Sequence, residues 1–135
     1  MTLPVADPMA ARTTILVVED NVELRFLVSD VLRAEGFKVV EAATTDEAVA
    51  YLRTPNDVTL VFSDIILPGD IDGIAFAKLL AKEYPAIKII LTSGKVPPEA
   101  VPANIRMIRK PYILARVISE VNAAIGREPR SPKPG

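Results

Sequence analysis

The chain has 135 residues, the span of one ordinary domain, and half of them are hydrophobic, enough to build a core. Sixteen Lys and Arg against seventeen Asp and Glu leave a formal charge of -1, so no global field draws the chain to nucleic acid or to an anionic membrane. With no Cys and no His it lacks thiolate and imidazole chemistry, disulfides, the preferred zinc ligands, Ser-His-Asp hydrolysis and any phosphohistidine of its own, which leaves hard ions held by oxygen as the metals within reach.

Residues 1–12 hold Pro4, Asp7, Pro8 and Arg12 without a basic start or a compact apolar block, so they do not resemble a secretory signal and are expected to form a flexible tail. Ile15–Val18 is the first apolar run and predicts a buried strand. Val22, Leu24, Phe26, Leu27, Val31 and Leu32 predict a helix with these residues on its apolar face, stopped at Gly36, which suits a left-handed cap. Lys38–Val40 predicts an edge strand. Thr44-Thr-Asp-Glu47 forms a capping box, in which the Thr44 hydroxyl and the Glu47 carboxylate satisfy each other's free backbone donors before Ala48, Val49 and Leu52.

Leu60–Phe62 predicts a second buried strand, and residues 73–84 a helix carrying Ile74, Ala77, Leu80 and Ala81 that Pro85 ends. Ile87–Leu91 predicts a third buried strand. From Ser93 to Asn104 a helix has little support, because Pro98 can begin one and Pro102 stops it about a turn later. Arg106–Arg109 predicts another edge strand, and Ile113, Val117, Val121 and Ile125 mark the last helix. The final stretch, residues 127–135, carries Pro129, Pro132 and Pro134 and is expected to be a flexible tail.

Apolar runs alternating with helical segments predict an α/β domain over residues 13–126, a parallel sheet covered on both faces. No apolar run approaches the roughly 20 residues that span a bilayer, since Asp64 interrupts the longest, and a cytoplasmic location is expected. In such sheets ligands bind at the carboxyl ends of the strands. Those ends are polar here: Glu19-Asp20, Ser63-Asp64, Thr92-Ser93 and Lys110-Pro111. Three carboxylates meeting at one rim would take up a proton or a divalent cation, and oxygen-only ligands favour Mg²⁺. Lys110 and Thr92 are suited to gripping a phosphoryl oxygen, which makes Asp64 a nucleophile for phosphoryl transfer. Each residue also has a plainer role open to it. Asp20 or Asn21 could cap a helix, Asp64 could be a turn residue, Thr92 a strand terminus and Lys110 a solvated charge.

Taken together, Ile15-Leu-Val-Val-Glu-Asp-Asn21, Ser63-Asp-Ile-Ile-Leu-Pro68 with Asp72-Gly73, Leu91-Thr-Ser-Gly94 and Arg109-Lys-Pro-Tyr112 resemble the receiver domain of two-component response regulators, of the stand-alone, CheY-like type. The resemblance implies a flavodoxin-like doubly wound five-stranded parallel sheet of order 2-1-3-4-5, here with a short or degenerate fourth helix. It implies phosphorylation of Asp64 by a sensor histidine kinase or a histidine phosphotransfer protein. Glu19, Asp20, Asp64 and the backbone carbonyl of Ile66 would hold Mg²⁺, Thr92 would be the switch hydroxyl, and Lys110, followed by a cis proline bond, would pair with the phosphoryl group. The downstream partner is an unnamed protein, with no nucleic acid or membrane contact, and a homodimer is open. On this reading the chain is a switch or phosphate shuttle that catalyses only its own phosphorylation and dephosphorylation.

Several positions depart from the family pattern. The loop between Pro68 and Asp72-Gly73 is one residue longer than the commonest form, and Met107 stands where Tyr or Phe is frequent. Ile66 and Gly94 offer no side-chain hydrogen bond to a water, which predicts slow self-dephosphorylation. One rival reading keeps the fold as a non-phosphorylated interaction module. Another, a phosphohydrolase of the haloacid dehalogenase type, needs a second Asp where this chain has Ile66.

Overall fold

Residues that avoid water along their whole length have to be covered on both sides, and the central strands of this chain meet that condition. In the computed structural model, which describes residues 12–67, 71–94, 101 and 105–127, five strands form one parallel sheet. They are β1 (Thr14–Val18), β2 (Lys38–Ala42), β3 (Val58–Asp64), β4 (Lys88–Ser93) and β5 (Arg106–Arg109), in the order β2-β1-β3-β4-β5. This is the flavodoxin-like order expected from the resemblance. Ile15, Leu16, Val17 and Val18 of β1 are all 0% exposed, which explains why the run reads as continuously apolar rather than alternating. β2 and β5 lie at the edges, where Lys38, Arg106 and Arg109 are exposed and discourage further strand pairing.

Four helices are described: α1 (Val22–Ala34), α2 (Thr45–Leu52), α3 (Gly73–Glu83) and α4 (Leu114–Ile125). Successive strand residues face opposite sides of the sheet. Ile15, Val17, Leu60, Phe62, Ile90 and Ile108 therefore pack with Val28 and Leu32 of α1 and Val117 and Val121 of α4. Leu16, Val18 and Val61 pack on the other side with Ala48 and Leu52 of α2 and Phe76 and Leu80 of α3. The sheet is doubly wound. Among the described residues no helix is long and apolar enough to cross a membrane.

Three local expectations are corrected. The buried face of α1 is formed by Val28, Ser29 and Leu32, with Leu24 and Val31 packed beside it. Val22, Phe26 and Leu27, assigned to that face from the sequence, are 52%, 53% and 54% exposed. The stripe at positions 24, 28, 31 and 32 follows the 3.6-residue period, and Val22 and Phe26 fall on the opposite side. Ile113 is the N-cap of α4 and is exposed, so that helix starts one residue later than expected. The Thr44 hydroxyl does accept from the Glu47 N–H at 3.0 Å, but the Glu47 carboxylate accepts from the N–H of Ala43 at 3.0 Å, one residue before the cap.

α1 ends at Gly36 with φ 98°, and α4 at Gly126 with φ 76°, both in the left-handed region that favours glycine. Arg127, expected to begin the tail, is 8% exposed, and its guanidinium lies 5.3 Å from the centroid of the Phe37 ring. The short or degenerate helix expected between β4 and β5 lies outside the described residues, as do residues 1–11 and 128–135.

Candidate functional site

Parallel strands joined by crossovers bring their carboxyl ends to one edge, and here the strand order makes the polar ends neighbours. Ser63 and Asp64 belong to β3, and Thr92 and Ser93 to β4, because the parallel ladder continues through them whatever their side chains. Asp64 and Thr92 are register partners, and Thr92 is 1% exposed. Glu19 follows β1, and its N–H donates to Ala42 O at 3.0 Å. Lys110 follows β5 and precedes a cis bond to Pro111, and its N–H donates to Ser93 O at 2.9 Å.

Glu19, Asp20 and Asp64 each offer a carboxylate oxygen, and these atoms all lie within 4.8 Å of one another. Glu19 and Asp64 are buried and Asp20 is exposed. Lys110 Nζ stands between the two buried acids, 2.6 Å from Asp64 Oδ2 and 3.5 Å from Glu19 Oε1. The second oxygen of each acid is engaged by backbone: Asp64 Oδ1 accepts from Ile66 N–H at 3.3 Å, and Glu19 Oε2 from Asn21 N–H at 3.1 Å. The Asn21 side chain in turn caps α1, accepting from Leu24 N–H at 2.9 Å. The cap is therefore Asn21, and both Glu19 and Asp20 are left to the site.

Burial raises the Glu19 carboxyl above its ordinary value, against the opposing effects of the Asn21 N–H and Lys110, while Asp20 and Asp64 push it further up. Burial works to lower Lys110, but its hydrogen bond to Asp64 and the charges of Asp64 and Glu19 outweigh this and hold the ammonium above its usual value. Tyr112 lies beside the site, edge-on to Phe62 with ring centroids 6.3 Å apart. Its burial, with the Glu19 and Asp64 charges, drives its phenol well above the usual tyrosine range.

The donor set is hard oxygen throughout, with excess negative charge already attracting an ammonium, and this fits Mg²⁺ rather than zinc. Two shaping residues escaped the sequence reading of the site. A Cβ on Gly73 would overlap the Asp64 carbonyl oxygen and Ile65 Cα, so only glycine lets α3 start against the end of β3. Its N–H donates to Ile65 O at 2.7 Å. The other is Arg25, whose Nη1 donates to Glu19 O at 2.8 Å. The conspicuous Asp72-Gly73 pair was a usable signal for the first, whereas an arginine on a surface helix gives none for the second.

The family profile described as "Response regulator receiver domain" matches residues 15–118, and the chain belongs to that family. Receiver domains are signalling domains of phosphorylation-based two-component systems. Among curated relatives, the nitrogen assimilation regulatory protein NtrX of Azorhizobium caulinodans is 31% identical over 112 residues, which cover 77% of this chain and 24% of that protein. The chain thus spans about a quarter of that relative's length. The crystal structure of the receiver domain of NtrX from Brucella abortus is 31% identical, with a TM-score of 0.75 over 84% of this chain and 99% of that one. A CheY-like response regulator receiver domain protein from Methanospirillum hungatei is 25% identical, with a TM-score of 0.77 over 84% of this chain and 94% of that one.

Proposed function

We propose that the chain is a phosphorylatable switch or phosphate shuttle whose acceptor is Asp64, charged in a Mg²⁺-dependent reaction by a sensor histidine kinase or a histidine phosphotransfer protein. The observation that carries this reading is the pairing of Lys110 Nζ with Asp64 Oδ2 at 2.6 Å inside an acidic cluster. A lone turn aspartate has no need of a half-buried cation at hydrogen-bond distance. These 135 residues hold no His, so the phosphohistidine comes from outside them.

In the reaction an Asp64 carboxylate oxygen attacks phosphorus, a P–O bond forms, the P–N bond to the donor imidazole breaks, and the imidazole leaves with a proton. Lys110 exchanges its contact with Asp64 for one with a phosphoryl oxygen, following the charge as it moves. The Thr92 hydroxyl, on the strand beside Asp64, donates to another phosphoryl oxygen. Glu19, Asp20, Asp64 and the Ile66 carbonyl would hold Mg²⁺, which supplies neutralisation of the incoming phosphate charge. Met107 supplies no ring to follow Thr92, and packs instead against Leu91 and Ile105 in one apolar cluster. Ile66 and Gly94 give an attacking water no side-chain partner, so the phosphoryl group is long-lived.

A small phosphodonor with Mg²⁺ is expected to label the wild type and to fail with Asp64→Asn. Equal labelling of both excludes Asp64 as acceptor. A phosphoryl half-life as short as seconds in the purified protein overturns the slow hydrolysis.

A further inference from the structure

The turn that carries the acidic pair is gripped from outside by a residue that phosphoryl transfer does not use. Arg25 closes the first turn of α1 and reaches back over the end of β1. Its Nη1 donates to the carbonyl oxygen of Glu19 at 2.8 Å, and its Nε donates to Glu41 Oε1 at 3.3 Å. Glu41 belongs to β2, and its other oxygen accepts from Arg33 Nη2 at 3.1 Å. The Arg25 and Glu41 side chains are only 17% and 22% exposed, so the pair is largely shielded from water.

Residue 19 is therefore tied to β2 twice. Its N–H donates directly to Ala42 O, and its carbonyl is held through Arg25 to Glu41. Its carboxylate points onward from that fixed backbone, with Oε2 on the Asn21 N–H and Oε1 toward Lys110. Three carboxylates within 4.8 Å repel one another, and rotation of the Glu19–Asp20 peptide is a backbone route to relief that would swing the exposed Asp20 out of the cluster. A planar guanidinium with two donors in fixed geometry resists that rotation in a way an ammonium does not.

We propose that Arg25 is a positioning residue for the acidic cluster: it locks the Glu19 peptide between α1 and β2, keeps Glu19 and Asp20 converged on Asp64, and thereby sets the affinity for a divalent cation. This rests on the cluster binding Mg²⁺, as proposed above. The sign of the effect separates it from simpler roles. As a nearby positive charge alone, Arg25 would oppose cation binding, and its removal would tighten it. As a structural residue alone, it would change the melting temperature and leave the affinity of the folded protein where it was.

The test is calorimetric titration of the full chain with MgCl₂ below the melting transition of every variant, with melting temperatures measured separately in chelator. Arg25→Lys and Arg25→Gln are expected to weaken Mg²⁺ on the order of tenfold, the size of one lost hydrogen bond to a charged group. Glu41→Gln, which loosens the anchor, is expected to weaken it about two- to threefold, on the same scale of contribution. Arg33→Gln, which touches Glu41 but not Glu19, is expected to leave the affinity unchanged. Should Arg25→Gln not fold, Arg25→Lys and Glu41→Gln carry the test. Unchanged or tighter binding in the Arg25 variants, beside a binding wild type, overturns the role of Arg25 alone, and so does equal weakening by Arg33→Gln. A wild type without Mg²⁺ affinity overturns the metal reading and this one together.

Discussion

The interior of the sheet and its carboxyl edge lie within a few residues of each other and obey opposite rules. Leu60, Val61 and Leu91 are 0% exposed in an apolar surround, where every atom removed from water stabilises the fold. Glu19 and Asp64 are also buried, at 5% and 8%, but there burial raises the energy of charges that a single lysine only partly offsets. A floor of close-packed strands holds together an edge that would otherwise spread. Substitutions should therefore divide: below the edge they cost stability and spare the chemistry, and on the edge they cost chemistry and spare or raise stability.

The largest effect is expected from Phe76→Ala. Phe76 is fully buried between α3 and the sheet, and its truncation should cost about 3–5 kcal/mol in urea unfolding followed by circular dichroism. The fraction that remains folded should still bind Mg²⁺ with wild-type affinity, and a parallel loss of affinity would break the division between floor and edge. Gly73→Ala is the variant designed to cross it. The added methyl meets the Asp64 carbonyl, so unfolding should show a loss of about 1–3 kcal/mol or more, and phosphodonor labelling should fall with it.

Asp20→Asn should move the other way. Removing one exposed member of a repelling cluster is expected to stabilise the metal-free protein by about 0.5 kcal/mol, while the rise in melting temperature caused by Mg²⁺ shrinks. A destabilised metal-free variant would show that the acids at the edge are not in conflict. The smallest effect belongs to Tyr112→Phe and appears only in alkali. The Tyr112 phenol is raised in the folded state, so its contribution is fully present below about pH 10 and is lost as pH rises beyond that, when the unfolded chain ionises and the folded one does not. Tyr112→Phe should lose less stability than wild type between neutral pH and pH above 10, and identical pH profiles would contradict this.

Local signals carried further for some elements than for others. The Thr44 cap, the Gly36 stop and the three buried strands follow from residue type and short-range period, and each stands in the structure within a residue or two. The face of α1 did not follow, because Val22, Phe26 and Leu27 are apolar yet turned outward, and hydropathy alone does not say which side of a helix meets a sheet. At the site, the residue types at the strand ends announced acid, hydroxyl and ammonium, and the resemblance assigned their roles. Neither announced the grip of Arg25 on the Glu19 carbonyl or the closeness of Gly73 to Asp64, since both depend on where elements distant along the chain come to rest.

By itself the amino-acid order determined which segments could form strands and helices and which chemical groups stood at their ends, because period and capping act over a few residues. Only the tertiary structure decided that Glu19, Asp20, Asp64 and Lys110 meet, since Asp64 and Lys110, 46 positions apart, and the still more distant Glu19 and Lys110 reach one another only when strand order and parallel register carry them to the same edge.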